Sequence, residues 1–409
     1  MKQRFGLLGR TLGHSFSPQI HACFGDYRYD LFPVEPDALK DFLLHAPFDG
    51  LNVTIPYKQA VMPYCSYIDP LAARIGAVNT LIRMEDGLHG YNTDYFGFLS
   101  MTQRAGVSFA GKRVLILGSG GTSRTVTAVL EDQGAERICT ASRNGSLRYD
   151  DLSECYDFDA IINTTPVGMY PNNGARIVDI APFRRLSAVF DVIYNPYRTD
   201  LVQQAAARSI TVSSGLPMLV LQAAAASALF TGKPVPTETS EQNIDLLQCQ
   251  TRNIVLIGMP GCGKTTIGKL LSHAHERPFL DTDVAIEKDA GRSIPVIFQA
   301  EGEAAFRRME NDAIRKLCKQ SGCVIATGGG AVLDADNREA IRENAFVVFV
   351  QRPLAALSMD GRPLSTGADA LAAMYATRLP LYEACADFTV SNTGAPEDAA
   401  AAIWDAFRA

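Results

Sequence analysis

Twice in 409 residues a buried-type apolar run breaks at a glycine turn and resumes as an amphipathic helix. The first case is Arg113-Val-Leu-Ile-Leu-Gly118, then Ser-Gly-Gly, then a helical stretch with Val126, Val129 and Leu130 on one face. Gly134 closes that helix, and Arg137-Ile-Cys-Thr-Ala-Ser142 reads as the next strand. The second case is Asn253-Ile-Val-Leu-Ile-Gly258, a glycine loop, and a helix that aligns Ile267, Leu270 and Leu271. A continuous apolar strand feeding an amphipathic helix belongs to a parallel, doubly wound α/β sheet. Two such cores need at least two domains, and so does the length at roughly 150 residues per domain.

Around these cores the chain divides by composition. Residues 1–100 form an α/β unit of their own, with strand-like Phe5-Gly-Leu-Leu-Gly and Gly50-Leu-Asn-Val-Thr-Ile, and a helix at about 216–232 returns to it. Residues 101–215 hold the first glycine turn. Residues 233–251 are polar, carry Pro234 and Pro236, and read as a linker; residues 252–409 hold the second core.

Apolar residues make up 47% and charged residues 20%, the balance of a water-soluble globular chain. A net charge of -6 speaks against a nucleic-acid partner, so anionic ligands must be met by local Arg and Lys and by helix N-termini. Nine cysteines, odd in number and scattered singly, point to free thiols in a reducing compartment. The N-terminus has no signal-peptide core, and the apolar stretch 216–230 is interrupted by Gln222 and too short to span a bilayer. A cytoplasmic enzyme with no membrane partner is the expectation; nothing in the sequence requires or forbids a homodimer.

Gly258-Met-Pro-Gly-Cys-Gly-Lys264-Thr265 fills a phosphate-loop pattern between strand and helix. Its backbone N–H groups suit phosphate, Lys264 suits the β and γ phosphates, and the Thr265 hydroxyl suits Mg²⁺. Downstream, Phe279-Leu-Asp281-Thr-Asp283 sets two carboxylates two positions apart, which on a strand would aim both the same way. Phosphoryl transfer to a hydroxyl calls for one acid near the metal and one at the acceptor. Cys262, inside the loop, suggests sensitivity to thiol reagents.

These fragments, together with Glu-Gly-Glu-Ala-Ala-Phe-Arg307, Ala-Thr-Gly-Gly-Gly330, Arg362-Pro-Leu and Arg378-Leu-Pro-Leu-Tyr382, resemble shikimate kinase over residues 252–392. The resemblance implies ATP bound by Gly261, Cys262, Gly263, Lys264, Thr265, Thr266 and a lid arginine, Arg362. It implies shikimate held by Asp283, Arg307, Gly329, Gly330 and Arg378, with Asp283 facing the reacting hydroxyl, and Mg²⁺ near Thr265 and Asp281. The segment 351–361 is short and lacks basic residues that many relatives carry.

The first glycine turn, Gly118-Ser-Gly120-Gly121-Thr-Ser-Arg124, carries Ser123 where the dinucleotide fingerprint has its third glycine. Its next strand ends in Ser142-Arg143, where an NAD-binding protein shows Asp or Glu. Arg143 suits a 2′-phosphate, hence NADP. In front and behind lie Gly13-His-Ser15-Phe-Ser17, Asn52-Val-Thr54-Ile-Pro-Tyr-Lys58, Gly76-Ala-Val-Asn79, Asn92-Thr-Asp94, Asn163-Thr-Thr-Pro-Val-Gly168, Asp191-Val-Ile-Tyr194 and Gly215-Leu-Pro-Met-Leu-Val-Leu-Gln222. In this order they resemble the shikimate dehydrogenase family over residues 3–232. The resemblance implies a dehydroshikimate pocket lined by Ser15, Ser17, Thr54, Lys58, Asn79, Asp94 and Gln222, with Lys58 and Asp94 as the catalytic pair. It implies NADP(H) against Gly118, Gly120, Gly121, Thr122, Ser142, Arg143, Thr164, Met169, Tyr194 and Gly215. Relatives that prefer quinate tend to carry Thr at the position of Ser17, so Ser17 favours shikimate. Leu147 stands where the family often places a second basic residue. His14 and His21 read as packing or hydrogen-bonding groups.

The fold expected is therefore an α/β substrate domain with a Rossmann NADP domain, followed by a P-loop kinase domain with a parallel sheet. The function implied is reduction of 3-dehydroshikimate to shikimate with NADPH, then phosphorylation of shikimate by MgATP to shikimate 3-phosphate. Two other readings stand beside it: a non-catalytic sensor of shikimate and nucleotides, and a quinate-preferring dehydrogenase fused to a small-polyol kinase.

Overall fold

Apolar runs without alternation become central strands here. Phe5 to Gly9 are buried throughout, and so are all five residues of Asn253–Ile257. In the computed structural model residues 2–13, 15–173, 175–357 and 368–408 are described. They fall into two units: Met1–Tyr194 with Leu201–Leu246, and Asn195–Asp200 with Leu247–Ala409.

The first unit contains two sheets. One is built from β1 (Arg4–Gly9), β2 (Arg28–Pro33), β3 (Gly50–Val53), β4 (Cys65–Ile68), β5 (Thr80–Met84) and β6 (Gly87–Tyr91), in the order β2-β1-β3-β5-β6-β4. It is mixed: β1 runs parallel to β2 and β3, while β5 runs antiparallel to β3 and β6. The other is fully parallel, with β7 (Arg113–Leu117), β8 (Arg137–Ala141), β9 (Ala160–Asn163), β10 (Ala188–Asp191) and β11 (Thr211–Ser213) ordered β11-β10-β9-β7-β8. The helix Leu216–Thr231 crosses the helix Asp94–Arg104 at Gly97. A Cβ on Gly97 would lie 2.7 Å from the Gln222 Cβ and 2.8 Å from the Met218 carbonyl oxygen. Only glycine permits that approach, and the approach is what sets Gln222 beside the residues around Asp94.

The second unit holds one parallel sheet, β12 (Asn253–Ile257), β13 (Phe279–Asp281), β14 (Val324–Ala326), β15 (Ala345–Gln351) and β16 (Phe388–Ser391), ordered β13-β14-β12-β15-β16. Ile254, Val255, Leu256 and Ile257 are completely buried, each such side chain contributing roughly 1.5–3 kcal/mol.

Two expectations change. Most of the stretch read as a linker, 233–251, is a helix, Thr237–Thr251, whose Ser240, Asn243, Ile244 and Leu247 are buried. Half of that buried stripe is polar, so apolar periodicity could not reveal it. The second change concerns the paired carboxylates. Asp281 ends β13 and Asp283 lies in the first turn of the helix Thr282–Ala290. Strand alternation does not govern them. Asp281 caps that helix, its Oδ1 accepting from the N–H groups of Asp283 (3.0 Å) and Val284 (3.4 Å).

Candidate active sites

In the first unit the chain leaves β3 in a turn, with the Tyr57 N–H donating to the Thr54 carbonyl (2.9 Å), and Lys58 follows. The Lys58 carbonyl accepts from the Val78 N–H at 2.8 Å, which ties this turn to the Gly76-Ala-Val-Asn79 segment. The Lys58 ammonium meets the Asp94 carboxylate at 2.6 Å, with 19% and 10% of the two side chains exposed. Asp94 opens the helix Asp94–Arg104, where a negative charge complements the helix dipole.

Asn79 organises the neighbouring polar groups. Its Oδ1 accepts from the Thr93 N–H (2.6 Å), and its Nδ2 donates to the Thr93 hydroxyl (3.0 Å) and to Gln222 Oε1 (3.4 Å). The Ser15 hydroxyl donates to the Ser17 hydroxyl at 3.1 Å and accepts from the Ser17 N–H at 3.2 Å. His21 is buried, stacks on Tyr29 at 4.0 Å and bonds the Tyr27 hydroxyl at 2.7 Å, so packing explains it. Burial pulls its pKa down to about 3. His14 lies outside the described residues.

Beyond β7 the backbone turns at Gly118, φ 109°, into the helix Gly121–Asp132, whose N-cap Gly120 offers no side-chain cap. Its first N–H groups are free for an anion, and a Cβ at Gly120 or Gly121 would meet nothing within 4 Å. This open turn fits a dinucleotide diphosphate. Thr122 stands in the first helical turn, and the Thr164 hydroxyl donates to the Leu117 carbonyl at 2.8 Å beside Gly118. Ser123 is buried with only 4% exposed, so the third-glycine position tolerates a small side chain. Arg143 is exposed just after β8, while the Ser142 N–H is held by the Leu147 carbonyl (3.0 Å). Leu147 packs against the core around Ala141 and Phe158, which is why no base stands there. Met169 is 43% exposed; Tyr194 lies 5.8 Å from the Phe16 ring, and the Gly215 N–H bonds the Ile193 carbonyl (2.8 Å).

In the second unit the phosphate loop runs through Gly258, Gly261 and Gly263, all at positive φ, into the helix Lys264–His275. The buried Lys264 ammonium donates to the carbonyls of Gly258 (2.8 Å) and Met259 (2.9 Å). Thr265 and Thr266 are exposed at the helix start. The Thr265 hydroxyl donates to Asp281 Oδ2 at 3.1 Å, and these two hard oxygens fit a magnesium ion shared with phosphates. Cys262 is completely buried, which removes the expected reagent access, and its carbonyl accepts from Asn392 Nδ2 at 2.7 Å.

Opposite the loop, Asp283 and Glu310 converge. A Cβ on Gly328 would fall 2.9 Å from Asp283 Oδ1 and 2.7 Å from Glu310 Oε1, and neither buried oxygen has a hydrogen-bond partner. Burial, reinforced by the charge of Asp281, pushes Asp283 up to about 6. Burial also raises Glu310. Arg307 donates to Glu310 Oε2 (2.7 Å) and Glu303 Oε1 (2.9 Å), so a substrate carboxylate would join an existing ion pair. Its guanidinium lies against Gly330. Arg378 Nη1 (3.1 Å) and the Tyr382 hydroxyl (2.5 Å) both donate to the Gly329 carbonyl. Arg362 lies outside the described residues. Glu310 and Asn392 escaped assignment from sequence. Glu310 was visible three residues after Arg307, on the same helix face; Asn392 gave no signal, because it reaches the loop only through the fold.

An open glycine turn over a parallel sheet with a buried Lys–Asp pair, and separately a phosphate loop facing buried carboxylates and arginines, define a dinucleotide-dependent oxidoreductase joined to a small-molecule kinase. Residues 7–81 match the shikimate dehydrogenase substrate binding domain and residues 260–408 match shikimate kinase. A shikimate dehydrogenase (NADP(+)) of Clostridium perfringens is 36% identical over 267 residues, covering 60% of this chain and 98% of the relative. Two solved structures resemble the same part. One is a chorismate mutase/shikimate 5-dehydrogenase fusion protein from Clostridium acetobutylicum (35% identity, TM-score 0.58, 61% of this chain and 98% of that one). The other is shikimate 5-dehydrogenase from Thermus thermophilus in complex with NADP(H) and shikimate (31%, TM-score 0.55, 59% and 98%). The chain belongs to the shikimate dehydrogenase family and carries a shikimate kinase domain at residues 260–408.

Proposed function

We propose that this chain catalyses two consecutive reactions, NADPH-dependent reduction of 3-dehydroshikimate to shikimate and MgATP-dependent phosphorylation of shikimate. What most supports the reading is that two distinct kinds of acid–base group are preorganised in the two units: a cation paired to a carboxylate in one, an unpartnered buried carboxylate in the other.

NADPH, when bound, supplies the hydride. The substrate carbonyl oxygen then becomes an alkoxide and takes a proton from the Lys58 ammonium, which beforehand stabilises the growing negative charge. Asp94 keeps Lys58 aimed and balances its charge. Asn79 and Gln222 orient ring hydroxyls, with Ser15 and Ser17 at the ring carboxylate. Thr54 completes the lining. The exposed Arg143 would take the 2′-phosphate, and Gly118 to Thr122, Ser142, Thr164, Met169, Tyr194 and Gly215 would border the cofactor.

In the kinase unit Gly261 to Thr266 would hold the ATP phosphates, and Thr265 with Asp281 would hold Mg²⁺, which neutralises phosphate charge. Asp283 accepts the proton of the shikimate hydroxyl as its oxygen attacks the γ-phosphorus and ADP leaves. Arg307, Arg378 and the Gly329-Gly330 backbone would fix the ring. A sensor would not require Lys58–Asp94, Lys264 and Asp283 together in catalytic positions, so turnover is the better reading. Nine cysteines that form no disulfide fit a cytoplasmic setting, and no described helix is long and apolar enough to cross a membrane.

The test uses the full chain. Lys58→Ala should lower NADPH-dependent reduction of dehydroshikimate by about 10²–10⁴-fold while shikimate-dependent ADP release persists. Lys264→Ala should do the reverse. Absence of both activities from the unaltered protein would refute the assignment.

A further inference from the structure

Beside the helix Leu216–Thr231, away from the side chains proposed to hold substrate, lies a cavity of about 510 Å³. Its apolar lining comes from Tyr91, Phe96, Ala225, Ala228, Leu229 and Pro234. None of Ser15, Ser17, Lys58, Asn79, Asp94 or Gln222 borders it. Phe96 and Leu229 are 49% and 37% exposed, an unusual exposure for large apolar groups gathered around one hollow. Its size falls in the range of pockets that take small organic molecules, about 300–1,000 Å³.

Two residues of opposite charge, Asp69 and Lys233, are among those that border it. Asp69 commits one oxygen to the Leu71 N–H, at 3.0 Å, as cap of the helix Pro70–Ile75. Its charge also reaches the Tyr91 hydroxyl, which burial, Tyr67 and Asp69 together hold above the usual range. Lys233 is exposed and enters no salt bridge among the described residues. An apolar hollow with two aromatic rings, one carboxylate and one ammonium matches a ligand of mirrored design: an aromatic ring bearing an ammonium and a carboxylate.

The cavity also touches the dehydrogenase network. Thr93 lines it, and the same Thr93 bonds Asn79 and Gln222 and immediately precedes Asp94. Ala225, Ala228 and Leu229 ride on the helix that carries Gln222.

We propose that this cavity is an effector site for a zwitterion built on an aromatic ring, the chemistry of an aromatic α-amino acid. Its ammonium pairs with Asp69 and its carboxylate with Lys233, while the ring lies among Tyr91, Phe96 and Leu229. Occupancy bears on the dehydrogenase through Thr93 and leaves the kinase unaffected.

Calorimetry on the full chain with L-tryptophan, L-tyrosine and L-phenylalanine tests this without relying on either enzymatic activity. At least one should bind more tightly than about 1 mM. Phenethylamine and 3-phenylpropionate, each lacking one charge, should bind at least about tenfold more weakly. Lys233→Gln should weaken binding by about tenfold, and Leu229→Trp should abolish it by filling the hollow; retained basal dehydrogenase kcat shows that both variants are folded. The bound amino acid should shift the dehydrogenase KM by about fivefold or more with the kinase KM unchanged. No binding by any of the three, binding indifferent to Leu229→Trp, or binding with no shift in the dehydrogenase KM would overturn the proposal. So would occlusion of the hollow by a second copy, seen as light-scattering mass that rises with concentration in the unaltered chain and not in Leu229→Trp.

Discussion

Asp283 carries a buried oxygen that bonds to nothing, beside Asp281 and Glu310, and its pKa stands near 6. An ordinary aspartate sits near 3.9, so the fold favours the protonated form. This stabilisation is complete below the ordinary value and is lost as pH rises through about 6. At pH 8 the ionised group therefore weighs against the fold, by no more than ~3 kcal/mol for a shift of roughly two pH units. A residue kept at such a cost has a chemical use, here as acceptor of the hydroxyl proton. Asp283→Asn should raise the thermal stability of the full chain at pH 8 and raise it clearly less at pH 4.5, while shikimate phosphorylation falls by about 10²-fold or more. Unfolding scans at both pH values check this, and an equal effect at both would remove the electrostatic explanation.

The phosphate loop works as an element, a strand, a turn and a helix whose shape depends on neighbours far along the chain. Gly263 sits at φ 103°, in the left-handed region, and an added Cβ would strike the Asn392 amide. That amide holds the Cys262 carbonyl at 2.7 Å, so β16's end braces the loop. Gly263→Ala should therefore displace the loop and abolish nucleotide binding, read by loss of ATP protection in a thermal shift; dehydrogenase rates should stay within about twofold, as at independent sites. Nucleotide affinity unchanged in the variant would show that the brace is dispensable. The strand–turn–helix of this loop and of the Gly118 turn was legible because glycine positions and apolar runs act locally. The Lys58–Asp94 pair was legible only through the resemblance, since 36 residues separate its partners. Asn392 was not legible at all, and the helix Thr237–Thr251 was hidden by the polar half of its buried stripe, Ser240 and Asn243. The local rule also misled at Asp281: its place at the end of an apolar run hid its use as a helix cap.

At the scale of the whole molecule the product of one proposed reaction is the substrate of the other, and fusion fixes the two activities at equal numbers. Equal numbers alone give no directed transfer. Linking two sites changes the flux only if the intermediate is captured before it escapes into solution. Shikimate is small, charged and water-soluble, and each unit completes its own set of catalytic side chains: Lys58 with Asp94 in the first, Lys264 with Asp283 in the second. Both members of each pair lie within one unit. The shared intermediate should then equilibrate with solvent between steps. Starting from dehydroshikimate, NADPH and MgATP, shikimate 3-phosphate should appear after a lag, the time needed for free shikimate to approach the kinase KM. An equimolar mixture of Lys58→Ala and Lys264→Ala chains, each carrying one working unit, should show the same lag as the unaltered chain at equal concentrations of active sites. A shorter lag for the unaltered chain would mean that fusion passes shikimate between sites directly.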